Sequence, residues 1–147
     1  MPDPNGEILL CTDYEVRGGD FNRAGEVSTD IKTRLKTIGF DVELVRRVAI
    51  ASFEAEMNVI MYAKEASVRL EVSPEKIQVV YRDEGPGIPD IDLAMQEGYS
   101  TATPEMRRLG FGAGMGLPTM KQNATRIEID SEVERGTVVG LFFMTSE

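Results

Sequence analysis

The chain has 147 residues, is 41% hydrophobic and carries a formal net charge of −9 without a single histidine. That length fits one domain spanning 1–147, burying roughly two-thirds of its unfolded surface, with residues 1–6 disordered. The acidic balance argues against nucleic acid as a partner. The lack of an apolar run of about 20 residues and the polar, acidic start argue against a membrane and for a cytoplasmic location.

Residues 7–16 alternate loosely and read as a strand, with Cys11 as a small buried apolar residue. Gly18-Gly19-Asp20 interrupts it. From Phe21 to Ile38 the spacing of Ala24, Val27, Ile31, Leu35 and Ile38 predicts an amphipathic helix, ended by Gly39. Asp41 is placed to cap a second helix running to about Ala63. Its apolar face is Leu44, Val45, Val48, Ala49, Ser52, Ala55 and Val59. Ser67 to Val72 and Ile77 to Arg82 read as strands joined at Pro74-Glu75-Lys76. Ile91 to Glu97 is a short helical stretch, and residues 98–108 read as a mobile surface loop. Met115 to Ala124 is expected to be a helix. Arg126 to Glu132 and Thr137 to Met144 form a last hairpin across Glu134-Arg135-Gly136. The order predicts an α/β two-layer sandwich of the α+β kind: a mixed, largely antiparallel sheet with helices on one face.

Missing histidine excludes a histidine phosphoacceptor, a triad containing histidine and a His-ligated metal. The remaining metal ligands are oxygens, which suit Mg²⁺. Glu54 and Asn58, at i and i+4, project from one helical face. A carboxylate there can take a proton from a hydroxyl, and an amide oxygen one turn on can ligate Mg²⁺. Glu56 points elsewhere. Asp83 opens Asp83-Glu84-Gly85-Pro86-Gly87-Ile88-Pro89, where a carboxylate at a strand end can accept from an exocyclic amine. Gly85 and Gly87 permit positive φ and close approach of a flat ring. Gly110-Phe111-Gly112-Ala113-Gly114-Met115-Gly116-Leu117 precedes a helix, and its N–H groups suit a phosphate chain. It is neither a Walker A loop nor a dinucleotide-binding fingerprint. Lys121, Arg107 and Arg108 are further candidates for phosphate. Met57, Met61, Met115 and Met120 are expected to fill core.

In this order the elements resemble the Bergerat ATPase fold shared by gyrase, Hsp90, histidine kinases and MutL. Glu54-x-x-x-Asn58, Asp83-x-Gly85-x-Gly87, Gly110-x-Gly112-x-Gly114-x-Gly116 and Gly136-Thr137 resemble its four motifs, over nearly the whole chain. Within that superfamily, Asp83 to Asp90, Glu97-Gly98-Tyr99-Ser100-Thr101 and Gly114-Met115-Gly116-Leu117-Pro118 are similar to the anti-sigma-factor serine/threonine kinases. They most resemble the switch-kinase branch that phosphorylates STAS-domain proteins. The resemblance implies ATP and Mg²⁺, with Glu54 as general base, Asn58 holding the metal and Asp83 binding the adenine amine with support from Thr137. It places Gly85, Gly87 and Ile88 beside the base, residues 98–113 as the ATP lid, and phosphates on Gly110, Gly112, Ala113, Gly114, Met115, Gly116, Leu117 and Lys121. The implied partner is a STAS-domain antagonist, with a sigma factor or a phosphatase as further candidates, and a homodimer fits the pattern. The lid carries an extra stretch, Ala102 to Arg108, relative to the shortest switch kinases. The alternative is a non-catalytic, ATP-gated anti-sigma or phosphatase-activating module.

Overall fold

The computed structural model describes residues 7–88, 90–96 and 116–146. Strand β1 (Leu10–Arg17) leads through a short 3₁₀ turn, Phe21–Arg23, to helix α1 (Glu26–Ile38) and then helix α2 (Val42–Tyr62). Strands β2 (Glu65–Val72) and β3 (Lys76–Glu84) follow, then a single helical turn α3 (Ile91–Ala94), helix α4 (Gly116–Asn123) and strands β4 (Arg126–Glu132) and β5 (Gly136–Met144). The five strands lie in the order β1-β2-β3-β5-β4, every neighbouring pair antiparallel.

Alternation along the strands sends one set of side chains under the helices. Val68, Leu70, Val72, Ile77, Val79, Tyr81, Leu141 and Phe143 are buried there against Ile31, Leu35, Val45, Val48 and Met120. The opposite face holds charged side chains, including Asp13 and Arg69, which form a two-pronged ion pair at 2.9 and 3.2 Å. Helices thus cover one face, as the sequence implies.

Two expectations need correcting. Cys11 is exposed. Leu10 pairs with Val72, and that register turns Cys11 toward the uncovered face. The first helix also begins later than the spacing implied. Gly25, at φ +93°, breaks the chain between the 3₁₀ turn and Glu26.

Both helix starts are capped by carboxylates, from different sources. Asp41 accepts from the N–H groups of Glu43 and Leu44 at 3.1 and 3.3 Å, as expected. Helix α1 has no side-chain cap of its own. Glu56 of α2 reaches across and accepts from Gly25, Val27 and Ser28 N–H groups at 2.9, 3.4 and 2.9 Å. Glu56 is only 1% exposed. This buried carboxylate satisfies donors that the helix start would otherwise leave unpaired.

Candidate functional site

Helix α2 and strand β3 carry the acidic candidates, and one hydrogen bond fixes their relative position. The buried Tyr81 hydroxyl donates to the Ser52 carbonyl at 2.9 Å. Ser52 lies two residues before Glu54, and Tyr81 two residues before Asp83. The ends of the two elements are also tied, by Lys64 N–H to the Glu84 carbonyl at 2.7 Å.

Glu54 and Asn58 are half-buried neighbours along α2, while Ala55, Glu56 and Met57 between them are buried. Burial pushes the Glu54 carboxyl above its ordinary value. No hydrogen bond to it is present among the described residues, so it keeps the lone pairs a proton acceptor needs. The start of α4 lies directly over the pair. A Cβ added at Gly116 would sit 3.2 Å from Asn58 Oδ1 and 3.6 Å from Glu54 Oε2. Glycine is therefore what lets this helix start approach the acid and the amide closely. Leu117 and Met120 anchor α4 in the core, and Lys121 is exposed in its last turn.

Asp83 sits near the end of β3, half-buried. Burial raises its carboxyl above the ordinary range, opposed by the Thr137 N–H, which donates to Oδ1 at 2.9 Å. No hydrogen bond to Oδ2 is present among the described residues. The loop after Asp83 is closed against the β4–β5 turn. Gly85 N–H donates to the Arg135 carbonyl at 3.2 Å, and Glu134 N–H donates to the Pro86 carbonyl at 2.8 Å. Gly87 has φ +76°, and a Cβ there would lie 2.5 Å from the Glu132 carbonyl oxygen. The hairpin backbone occupies the space that glycine leaves.

Sequence reading missed Ser131. Its Oγ accepts the Ile88 N–H at 2.7 Å and lies 2.8 Å from Thr137 Oγ1, its cross-strand neighbour. It also lies 3.3 Å from the Gly136 carbonyl. The only hint in the sequence is that a hairpin across Glu134-Arg135-Gly136 sets a serine opposite Thr137. Of the other candidates, Met57 and Met120 are buried core residues and Met61 packs against the core. Gly110, Gly112, Ala113, Gly114, Met115, Arg107, Arg108 and the lid at 98–113 lie outside the described residues, as does Glu97.

A separate cavity of about 770 Å³ lies on the uncovered sheet face, lined by Asp13, Arg69, Glu71, Gln78 and Arg82 among others. It is across the sheet from Glu54 and Asn58. Among the described residues no group of three acidic or cysteine side chains is arranged to hold a metal. Nor is any helix there long and apolar enough to cross a membrane.

An acid and an amide under a helix start, with a second acid behind a hairpin-backed glycine loop, set the class. The chain belongs to the histidine kinase-, DNA gyrase B- and HSP90-like ATPase family, whose model matches residues 41–146. ATP binding follows from that membership.

Its relatives lie among bacterial regulators. It is 29% identical over 108 residues to the serine/threonine-protein kinase RsbT of Bacillus subtilis, an alignment covering 71% of this chain and 75% of that one. It is 32% identical over 114 residues to the anti-sigma F factor of Geobacillus stearothermophilus, covering 78% and 70%. A Mycobacterium tuberculosis structure of RsbU and RsbW domains superposes with a TM-score of 0.59 at 13% identity, over 92% of this chain and 33% of that one. The catalytic domain of histidine kinase ThkA gives 0.53 at 15% identity, over 93% of this chain and 97% of that one. These two likenesses concern the fold.

Proposed function

We propose that the protein is an ATP- and Mg²⁺-dependent serine/threonine protein kinase acting on a STAS-domain partner in a bacterial sigma-factor or stress switch. The observation that carries this reading is the half-buried, proton-hungry Glu54 beside Asn58, beneath the Gly116 helix start. Phosphoryl transfer asks the protein mainly for positioning and charge neutralisation, and this constellation suits both.

Glu54 receives the proton of the attacking serine or threonine hydroxyl. Its raised basicity suits a general base, and Tyr81 holds the helix that carries it. Asp83 accepts the adenine amine through Oδ2 while Thr137 N–H fixes Oδ1. Gly85, Gly87 and Ile88 form the strip beside the base. The phosphates would be held at the start of α4, where first-turn N–H groups lack intrahelical partners and the helix dipole favours an anion. Gly110, Gly112, Ala113, Gly114 and Met115 are proposed as further N–H donors to the phosphates, with Lys121 as a candidate cation. A half-exposed amide oxygen at Asn58 fits one protein ligand to Mg²⁺, an ion commonly held by one or two protein groups plus substrate phosphates. When bound, that ion neutralises charge on the transferring phosphate.

Kinship to proteins named anti-sigma F factor favours a second reading, a module that captures a sigma factor or activates a phosphatase in an ATP-gated manner. The two are separated by incubating the protein with ATP, Mg²⁺ and candidate STAS-domain proteins, and locating phosphate on the partner by mass spectrometry. Phosphoserine or phosphothreonine on the partner is expected. Glu54→Gln should reduce its formation by about 10²–10⁴-fold while retaining ATP binding. Undiminished transfer by Glu54→Gln would remove Glu54 as the base. A stoichiometric complex without transfer would favour the binding module.

A further inference from the structure

Ser131 joins its own β4–β5 hairpin to the glycine loop 43 residues earlier. Its oxygen receives the Ile88 N–H at 2.7 Å from the glycine loop. It meets the Thr137 hydroxyl at 2.8 Å on β5 and the Gly136 carbonyl at 3.3 Å. The other loop-to-hairpin hydrogen bonds, Gly85 to Arg135 and Glu134 to Pro86, are backbone to backbone. In that set Ser131 supplies the side-chain contact, and it does so next to Thr137, whose N–H holds Asp83.

We infer that Ser131 is a positioning residue for base selection: it clamps the Ile88 end of the loop and partners Thr137 so that Asp83 and Thr137 together favour adenine over guanine. This rests on the proposed ATP site. A hydroxyl has one proton and two lone pairs. With Ile88 N–H on one lone pair, Ser131 has one proton to give, either to the Gly136 carbonyl at 3.3 Å or to the nearer Thr137 hydroxyl at 2.8 Å, and with a base bound it goes to the nearer acceptor. Thr137 can therefore turn its own proton toward a ligand acceptor without losing its partner. Adenine presents a donor amine beside an acceptor ring nitrogen. A carboxylate acceptor beside a hydroxyl donor matches that edge. Guanine presents an acceptor oxygen beside a donor N–H, so both contacts are reversed, and mismatched buried polar groups are costly.

Removing the Ser131 hydroxyl strands the Ile88 N–H and takes away the partner that holds the Thr137 hydroxyl in orientation. The test is calorimetric binding of ATP and GTP to the full chain, for wild type, Ser131→Ala and Ser131→Thr, with denaturation curves for each. Ser131→Ala is expected to lose about tenfold in ATP affinity with a smaller loss for GTP, so the ATP/GTP ratio narrows. Ser131→Thr, which keeps the hydroxyl on a β-branched side chain suited to a strand, should retain the wild-type ratio. If wild type binds ATP and Ser131→Ala keeps its affinity and ratio, the inference is overturned and the site stands. Equal loss for both nucleotides would also overturn it, since that marks general loosening. Should Ser131→Ala fail to fold, a folded Ser131→Thr with a collapsed ratio would overturn it and a preserved ratio would support it. If wild type binds neither nucleotide, the ATP reading fails first and this inference with it.

Discussion

Glu56→Ala should destabilise the fold strongly, through a contact between two helices. Its carboxylate is buried and holds three N–H groups at the start of α1. Each hydrogen bond to a charged acceptor contributes about 1.5–3 kcal/mol, and contributions sharing one carboxylate do not add fully. Losing a helix cap costs about 0.5–2 kcal/mol. Together these place Glu56→Ala at about 3–4 kcal/mol of destabilisation, a large part of the roughly 5–15 kcal/mol typical of a whole domain. At this chain length, that corresponds to a drop in Tm of about 6–16 °C. Glu56→Gln should recover little, because its amide NH₂ must face one of the N–H donors. Denaturation in guanidinium chloride measures the loss as a lower midpoint at constant slope. Hydrogen exchange should show the Gly25 to Ser28 amides losing protection ahead of the sheet. A change below about 0.5 kcal/mol, typical of a surface substitution, would refute the long-range cap.

Two further substitutions probe the site. Glu54 has its pKa raised by burial, so its charged form is disfavoured in the folded state and its contribution to stability falls as pH rises through the raised pKa. Glu54→Gln should therefore be more stable than wild type at about pH 7.5 and no different at about pH 4, near the ordinary carboxylate pKa. Thermal melts at both pH values check this, and a uniform difference would count against it. Gly116→Ala places a Cβ 3.2 Å from Asn58 Oδ1. It should weaken ATP binding severalfold while altering stability by only about 1 kcal/mol or less, because alanine favours the helix. Unchanged binding would show that α4 need not approach the pair so closely.

Much of the fold was legible because the sheet is covered on one face only, which writes a clear period of two into Ser67 to Val72 and Ile77 to Arg82. Asp41 and Gly39 marked the turn between the long helices. Long-range contacts were not legible. The role of Glu56 depends on Gly25 to Ser28, about a turn and a half into a region whose apolar spacing ran on smoothly from Phe21. Ile8-Leu9-Leu10 does not alternate, so the face of Cys11 was settled by pairing with β2. Glu54, Asn58 and Asp83 were nominated by local spacing and residue type. Ser131 was not, because its partners come from Ile88 and from across a hairpin. Gly87 was read for positive φ, which it has at +76°, but that its missing side chain also makes room for the Glu132 backbone depends on a hairpin 45 residues on.

Calorimetry of ATP binding with and without Mg²⁺, on wild type and Asn58→Ala, tests the central claim most directly. Wild type should bind ATP with an affinity that depends on Mg²⁺, and Asn58→Ala should lose that dependence and at least about tenfold in affinity. Equal binding by the two proteins, or no binding by wild type under either condition, would contradict a nucleotide site built on Glu54, Asn58 and Asp83.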